Sequence, residues 1–190
     1  GSRVYLGGKF GSSVLATANV MMAATLAKGK TIIENAACEP EVCDLADFLI
    51  QMGAKIKGHK TPILEIEGVK ALHGAEYSII NDRIEAGTFM IASAITGGDV
   101  LIKGANLEHL GAIIDKLKDV GVKITNTKDG LRVVKTGYIK PVDVTTLPYP
   151  GFPTDMQAQM TALMCMTKGI SVITEKIYPE RFMHISELAR

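Results

Sequence analysis

A threefold internal repeat constrains this chain more than any other feature, because a unit that recurs at a fixed interval must be built the same way each time. Gly29, Gly98 and Gly169 stand 69 and 71 residues apart, and each follows a helix start by 16, 16 and 15 residues, at Ser13, Asp82 and Thr154. A short β-rich stretch comes after each glycine, at Thr31-Ile32-Ile33, Val100-Leu101-Ile102 and Ser171-Val172-Ile173. Second helices open at Pro40, Asn106 and Pro179, since proline in a first turn sacrifices an amide that has no partner anyway and asparagine is a good N-cap. In the first two copies apolar residues keep helical spacing up to Gly53 and Gly121, which read as C-caps. The strands Ala54 to Lys57, Ile63 to Glu67, Val122 to Thr125 and Leu131 to Val134 complete them. The unit is βαβαββ. In the third copy Leu188 corresponds to Leu49, so the chain is expected to be a truncated piece of a longer protein, its last unit incomplete.

The stretch from Leu147 to Met160 is the most unusual in wording. Pro148, Pro150 and Pro153 remove backbone donors and fix φ, which delivers an ordered irregular segment into a helix start. Thr154 is the natural N-cap, with Gln157 three residues on to complete a capping box, and Asp155 lies in a first turn that favours a carboxylate. Asp82 and Glu85 make a similar box. The local pattern explains Asp155 equally well as a helix-stabilising acid or as a functional one.

Composition sets the class. The 190 residues are 47% hydrophobic and 22% charged with a formal charge of +1, enough to bury a core under an ordinary polar surface. Scattered lysines and arginines point to no nucleic acid, and no apolar run is long enough to span a membrane. With no signal-peptide pattern a cytoplasmic location is expected. Cys38, Cys43 and Cys165 form neither a disulfide framework nor a metal-ligand spacing; Cys38, at a helix start, is placed for a lowered thiol pKa.

The segments Thr146 to Met160, Ile33 to Val42 and Glu180 to Leu188 closely resemble the UDP-N-acetylglucosamine enolpyruvyl transferases (1-carboxyvinyltransferases) that open bacterial peptidoglycan synthesis. The resemblance covers essentially the whole chain but about half of such an enzyme. It implies an α/β prism, an inside-out α/β barrel of the EPSP-synthase type, in which residues 1–80 are the last repeat of one half and residues 81–190 the first repeats of the second. The repeat pattern by itself fits one three-unit domain equally well. Helices that are apolar on most faces, Val14 to Leu26 and Met156 to Met166, suit the buried positions such a prism provides.

The implied substrates are UDP-N-acetylglucosamine and phosphoenolpyruvate, and the chemistry requires no metal or organic cofactor. It needs a base at the sugar hydroxyl, an acid for the C3 methylene and a cationic pocket. The resemblance makes Asp155 that base. Arg181 matches an arginine beside the active site, the competing explanation being a surface pair with Glu180 or Glu187, and His184 shares its helical face. Ile177 falls where the family contacts the uracil nucleotide. Gly11, Ser12, Ser13 and Val14 occupy the loop that meets the uridine diphosphate, where capped amides suit an anion. The family often has Lys-Val-Ser-Val-Gly there, whereas this chain reads Gly11-Ser12-Ser13-Val14-Leu15 and has its nearest lysine at Lys9. The phosphoenolpyruvate-binding lysine and asparagine and the cysteine acid of the family precede this segment, and none of the three cysteines here corresponds to that acid. The expected product is therefore an enzyme fragment inactive alone. A shikimate-type enolpyruvyl transferase and a non-catalytic binding module built on the same repeats are the competing readings.

Overall fold

The computed structural model describes residues 1–9 and 11–190. Among them the chain divides into two compact units, Gly1–Ile80 and Asn81–Arg190.

In the first unit, β1 (Ser2–Tyr5) lies parallel to β4 (Lys30–Glu34), which pairs antiparallel with β6 (Ile63–Glu67), and β5 (Lys55–Lys57) closes the far edge of the sheet. A small antiparallel pair, β2 (Gly7–Gly8) and β3 (Gly11–Ser12), precedes α1 (Val14–Thr25), and α2 (Pro40–Gln51) follows β4. Proline at the first turn of α2 is as the sequence predicts. The core is Met21 and Ala24 from α1, Val42, Ala46 and Leu49 from α2, and Ile33, Ile56, Leu64 and Ile66 from the sheet. Alternation explains the sheet contribution: Leu64 and Ile66 face inward while Glu65 pairs with Lys30 and Glu67 with Lys55 on the other face. α1 departs from expectation. It is apolar nearly all round, yet Leu15 and Met22 are exposed, so only one of its faces is buried.

The second unit repeats the plan. α3 (Arg83–Thr96) leads into β7 (Asp99–Lys103), α4 (Gly111–Val120) and the hairpin of β8 (Val122–Thr127) and β9 (Gly130–Lys135), giving the antiparallel order β7-β9-β8. Asp82 caps α3 by accepting from Ile84 N at 2.7 Å and Glu85 N at 3.1 Å. Gly97 and Gly121 end α3 and α4 in left-handed backbone, at φ 74° and 103°. Asn106 caps a short 3-10 turn, Leu107–His109, ahead of α4 rather than the helix itself. The third copy is abbreviated: β10 (Val144–Thr145) pairs parallel with β11 (Ile173–Thr174), between them stand a 3-10 turn, Thr154–Met156, and α5 (Gln157–Cys165), and beyond them only α6 (Ile185–Leu188) is helical. Pro179 therefore lies in a turn and opens no long helix.

α3, α4 and α5 share one core with β8 and β9, in which Met90, Leu117, Leu131, Val133, Met156 and Met160 are fully buried. Gly87 permits the close approach of α3, since a Cβ there would stand 3.0 Å from Met156 Cε and 3.1 Å from Ile113 Cδ1. Gln159 Nε2 donates to Thr88 Oγ1 at 3.0 Å across the same seam.

One carboxylate gathers the irregular chain around β10 and β11. Glu175 Oε1 accepts from Thr146 Oγ1 at 2.6 Å, Ile177 N at 2.7 Å and Tyr178 N at 3.0 Å, and Oε2 accepts from Thr154 Oγ1 at 2.9 Å. Burial pushes this carboxyl up, but the bonds from Thr146, Tyr178, Ile177 and Thr154 outweigh it and hold its pKa below the ordinary value of 4.5.

Two stability outcomes follow from these anchors. Replacing Asp82 by Ala is expected to cost about 1 kcal/mol in urea unfolding, with Asp82→Asn recovering most of it. Because the folded pKa of Glu175 is depressed, its contribution is complete above 4.5 and disappears as pH falls through the folded value. The stability gap between the native protein and Glu175→Gln should thus be full at neutral pH and close in acid, and a gap that widens in acid would contradict the assignment.

Candidate active site around Asp155 and Arg181

The proline-led segment is closed on itself before it delivers Asp155. Leu147 N donates to Phe152 O at 2.9 Å and Gly151 N to Pro148 O at 2.8 Å, and the Tyr149–Pro150 bond is cis. Phe152 and Met156 are buried on either side of the turn, so the backbone bearing Asp155 is seated on the core while its side chain points out. Asp155 is 56% exposed at its side chain, and its Oδ1 accepts from Arg181 Nη1 at 2.7 Å. The acid is not sealed in hydrocarbon.

Arg181 is fixed from behind. Its backbone N donates to Tyr178 O at 2.9 Å, and its guanidinium carbon lies 4.8 Å from the centre of the Tyr178 ring. Among the described residues Arg181 pairs with Asp155 and with neither glutamate proposed as its partner, and Glu187 pairs with Arg190 at 2.9 Å. Arg181 and His184 do not share a helical face, because α6 begins only at Ile185. His184 stacks on Phe182 at 6.4 Å, and its Nε2 is buried without a hydrogen-bond partner among the described residues. Ile177 is half-buried next to the same turn, its amide spent on Glu175.

The capping box read at Thr154 and Gln157 does not form. Thr154 Oγ1 turns to Glu175, and Pro153 precedes the 3-10 turn that contains Asp155. Gln157 is fully buried, with both amide atoms lacking a hydrogen-bond partner among the described residues. A carboxylate twenty-one residues downstream competes successfully for the threonine because a charged acceptor forms the stronger bond. Sequence reasoning missed Glu175 and Thr146 for the same reason: their role is set by distant partners. One signal was available, since Glu175 follows Gly169 by the interval that separates Asn35 from Gly29 and Gly104 from Gly98.

The loop residues of the first unit form a separate arrangement. Gly11 and Ser12 make β3, Ser13 caps α1 by accepting from Ala16 N at 3.3 Å, and Val14 is the first helical residue. Both cysteines of this unit have raised thiol pKa values. Burial, then the neighbouring Glu39, raises the Cys38 thiol, which corrects the lowered pKa expected at a helix start. Burial pushes Cys43 up to about 11, and its Sγ donates to His59 O.

The comparisons with known proteins agree closely. A family model described as EPSP synthase (3-phosphoshikimate 1-carboxyvinyltransferase) matches residues 4–190. A UDP-N-acetylglucosamine 1-carboxyvinyltransferase of Methylacidiphilum infernorum is 57% identical over all 190 residues, which are 45% of its own length. One from Caldanaerobacter subterraneus is 60% identical over 94% of this chain and 43% of the relative, and one from Staphylococcus aureus 53% identical over 94% and 42%. The chain thus spans a little under half the length of the curated relatives it matches. Among solved structures, the enolpyruvyl transferase NikO from Streptomyces tendae superposes with a TM-score of 0.87 at 20% identity, covering 99% of this chain and 47% of that one, which shows a shared fold. With its fold matched and nearly every residue within the family model, the chain belongs to the EPSP synthase (3-phosphoshikimate 1-carboxyvinyltransferase) family.

Proposed function

We propose that this chain is part of a UDP-N-acetylglucosamine 1-carboxyvinyltransferase, an enzyme of peptidoglycan synthesis in the cytoplasm, and that Asp155 is the base at the sugar 3-hydroxyl. The carrying observation is the geometry of Asp155: Oδ1 is held by Arg181, while the side chain is 56% exposed, so Oδ2 is free to meet a hydroxyl. The relatives at 53–60% identity support the choice of nucleotide sugar. In the reaction the hydroxyl proton passes to Asp155 as the sugar oxygen bonds to C2 of phosphoenolpyruvate and C3 takes a proton from an acid. Breaking the C2–O bond to phosphate and losing a C3 proton restores the double bond. Arg181 sets the orientation of the carboxylate for the first step.

In this reading residues 1–80 are the last repeat of one half of the enzyme and residues 81–190 are the first repeats of the other. Gly11, Ser12, Ser13 and Val14 meet the diphosphate, and Ile177 packs on the uracil. The Ser13 oxygen that accepts from Ala16 keeps its hydroxyl proton available, so capping and phosphate contact are compatible. No metal or organic cofactor enters the chemistry, no nucleic-acid partner is invoked, and among the described residues no helix is long and apolar enough to cross a membrane.

The reading is tested in the full-length protein by phosphate release from UDP-N-acetylglucosamine and phosphoenolpyruvate. Asp155→Asn should lower kcat by about 10²–10⁴-fold, the range of a general base, and an unchanged rate would remove Asp155 from the reaction. The 190-residue chain alone should release no phosphate. Saturation-transfer NMR of the full-length protein should detect UDP-N-acetylglucosamine and not shikimate 3-phosphate; the reverse would move the protein to the shikimate branch.

A further inference from the structure

We infer that Glu175 is a positioning residue, whose carboxylate fixes the pairing of Asp155 with Arg181 by holding the two chain segments that carry them. The role for that pair in the reaction rests on the proposed function above; the positioning itself does not.

The connections run in both directions from one side chain. Through Oε2, Glu175 holds Thr154, the residue immediately before Asp155. Through Oε1 it holds the amides of Ile177 and Tyr178, and Tyr178 in turn supports Arg181 by a backbone hydrogen bond and by its ring. Thr146 stiffens the junction: fully buried, its hydroxyl donates to Glu175 Oε1 at 2.6 Å and accepts from Lys176 N at 2.9 Å. Two irregular segments separated by twenty residues in sequence are thereby both held by one charged group. Besides Glu175, the segments are tied by the β10–β11 pairing, two residues on each strand, by Thr146 N donating to Thr174 O, by Lys176 N donating to Thr146 Oγ1 and by the Asp155–Arg181 bond itself.

The repeat shows that this glutamate is a departure from the other copies. The equivalent positions in the other two copies are Asn35 at φ 56° and Gly104 at φ 71°, residues suited to a left-handed turn after the strand. The third copy gives up that turn residue for a carboxylate, and it does so in the copy that contains Asp155. The stability that Glu175 contributes does not account for the neighbouring ion pair. The pair it organises is partly exposed, and such ion pairs contribute only about 0–1 kcal/mol. What four converging hydrogen bonds deliver is orientation, on which a positioned acid or base depends steeply.

Glu175→Gln and Glu175→Ala separate these roles. Glutamine keeps an oxygen for Thr146, Ile177 and Tyr178, and its amide faces Thr154 Oγ1, which reverses to accept; alanine leaves every donor unmet. The readout is the side-chain guanidinium NMR signal of Arg181 in the 190-residue chain, identified by its loss in Arg181→Lys. Slowed exchange and restricted rotation, the marks of a held ion pair, should persist in Glu175→Gln and vanish in Glu175→Ala. An Arg181 signal unchanged in folded Glu175→Ala overturns the proposal. Should Glu175→Ala fail to fold, Thr154→Val cuts only the Oε2 arm; it should loosen the Arg181 signal, and an unaltered signal there overturns the proposal equally. In the full-length protein, Glu175→Ala should lower kcat by about tenfold to a hundredfold with KM for phosphoenolpyruvate little changed, and Glu175→Gln should restore most of it. Loss of the Arg181 signal with an undiminished rate would leave the positioning intact and sink the reading of Asp155 as the base.

Discussion

The packing of α3 between the β7-β9-β8 sheet and α5 is the contact on which the second unit depends. Ala86, Met90, Ile91 and Ala94 give α3 a buried face of alternating small and large residues, and Met156, Met160 and Leu163 of the third copy meet it. Small side chains allow the helices to approach, and methionine fills what rigid side chains would leave empty. The consequence is functional as well as energetic. Because Met156 is clamped next to Gly87, the backbone one residue earlier has a fixed address, and Asp155 projects from a surface the core defines.

The first unit has the same plan with a different balance. Its sheet supplies one inward face and a charged outer face, and α2 buries its apolar stripe in the ordinary amphipathic way. α1 is the exception, with Leu15 and Met22 exposed on a helix that has hardly any polar side. A helix of that composition is built for apolar surroundings on more than one side, which is how the prism architecture treats its helices. The exposed side chains of α1 are thus the sequence signature of the fold more than of the unit taken by itself.

The repeat was legible because it rests on local chemistry. Left-handed glycines at Gly53 and Gly121, proline at the start of α2 and the alternating strands around Leu64 and Val133 each act within a few residues, and the sequence pattern captures them. Asp155 stood out as a candidate for a different reason, the wording of the segment around it. The hydrogen-bond partners were not legible. Thr154 has the look of a cap, and only the arrival of Glu175 from twenty-one residues away diverts it. Cys38 shows the same limit: the helix start argues for a thiolate, but burial and the adjacent Glu39 act against it, and burial cannot be read from position in a motif.

Divergence among the copies follows from this division between local and distant chemistry. Helix ends and strand alternation must be right in every copy for the unit to fold, so they recur. The position after the strand that follows each unit's first helix is not held to one conformation, since Asn35 and Gly104 take it in left-handed backbone and Glu175 does not. That freedom makes it a place where one copy can acquire a side chain serving another part of the molecule without losing its own fold. Glu175 uses it to reach both Thr154 and Tyr178, at the cost of placing a half-buried charge that four donors must satisfy. A symmetric scaffold thus becomes asymmetric where its backbone rules are weakest, and in this chain that position adjoins the Asp155–Arg181 pair.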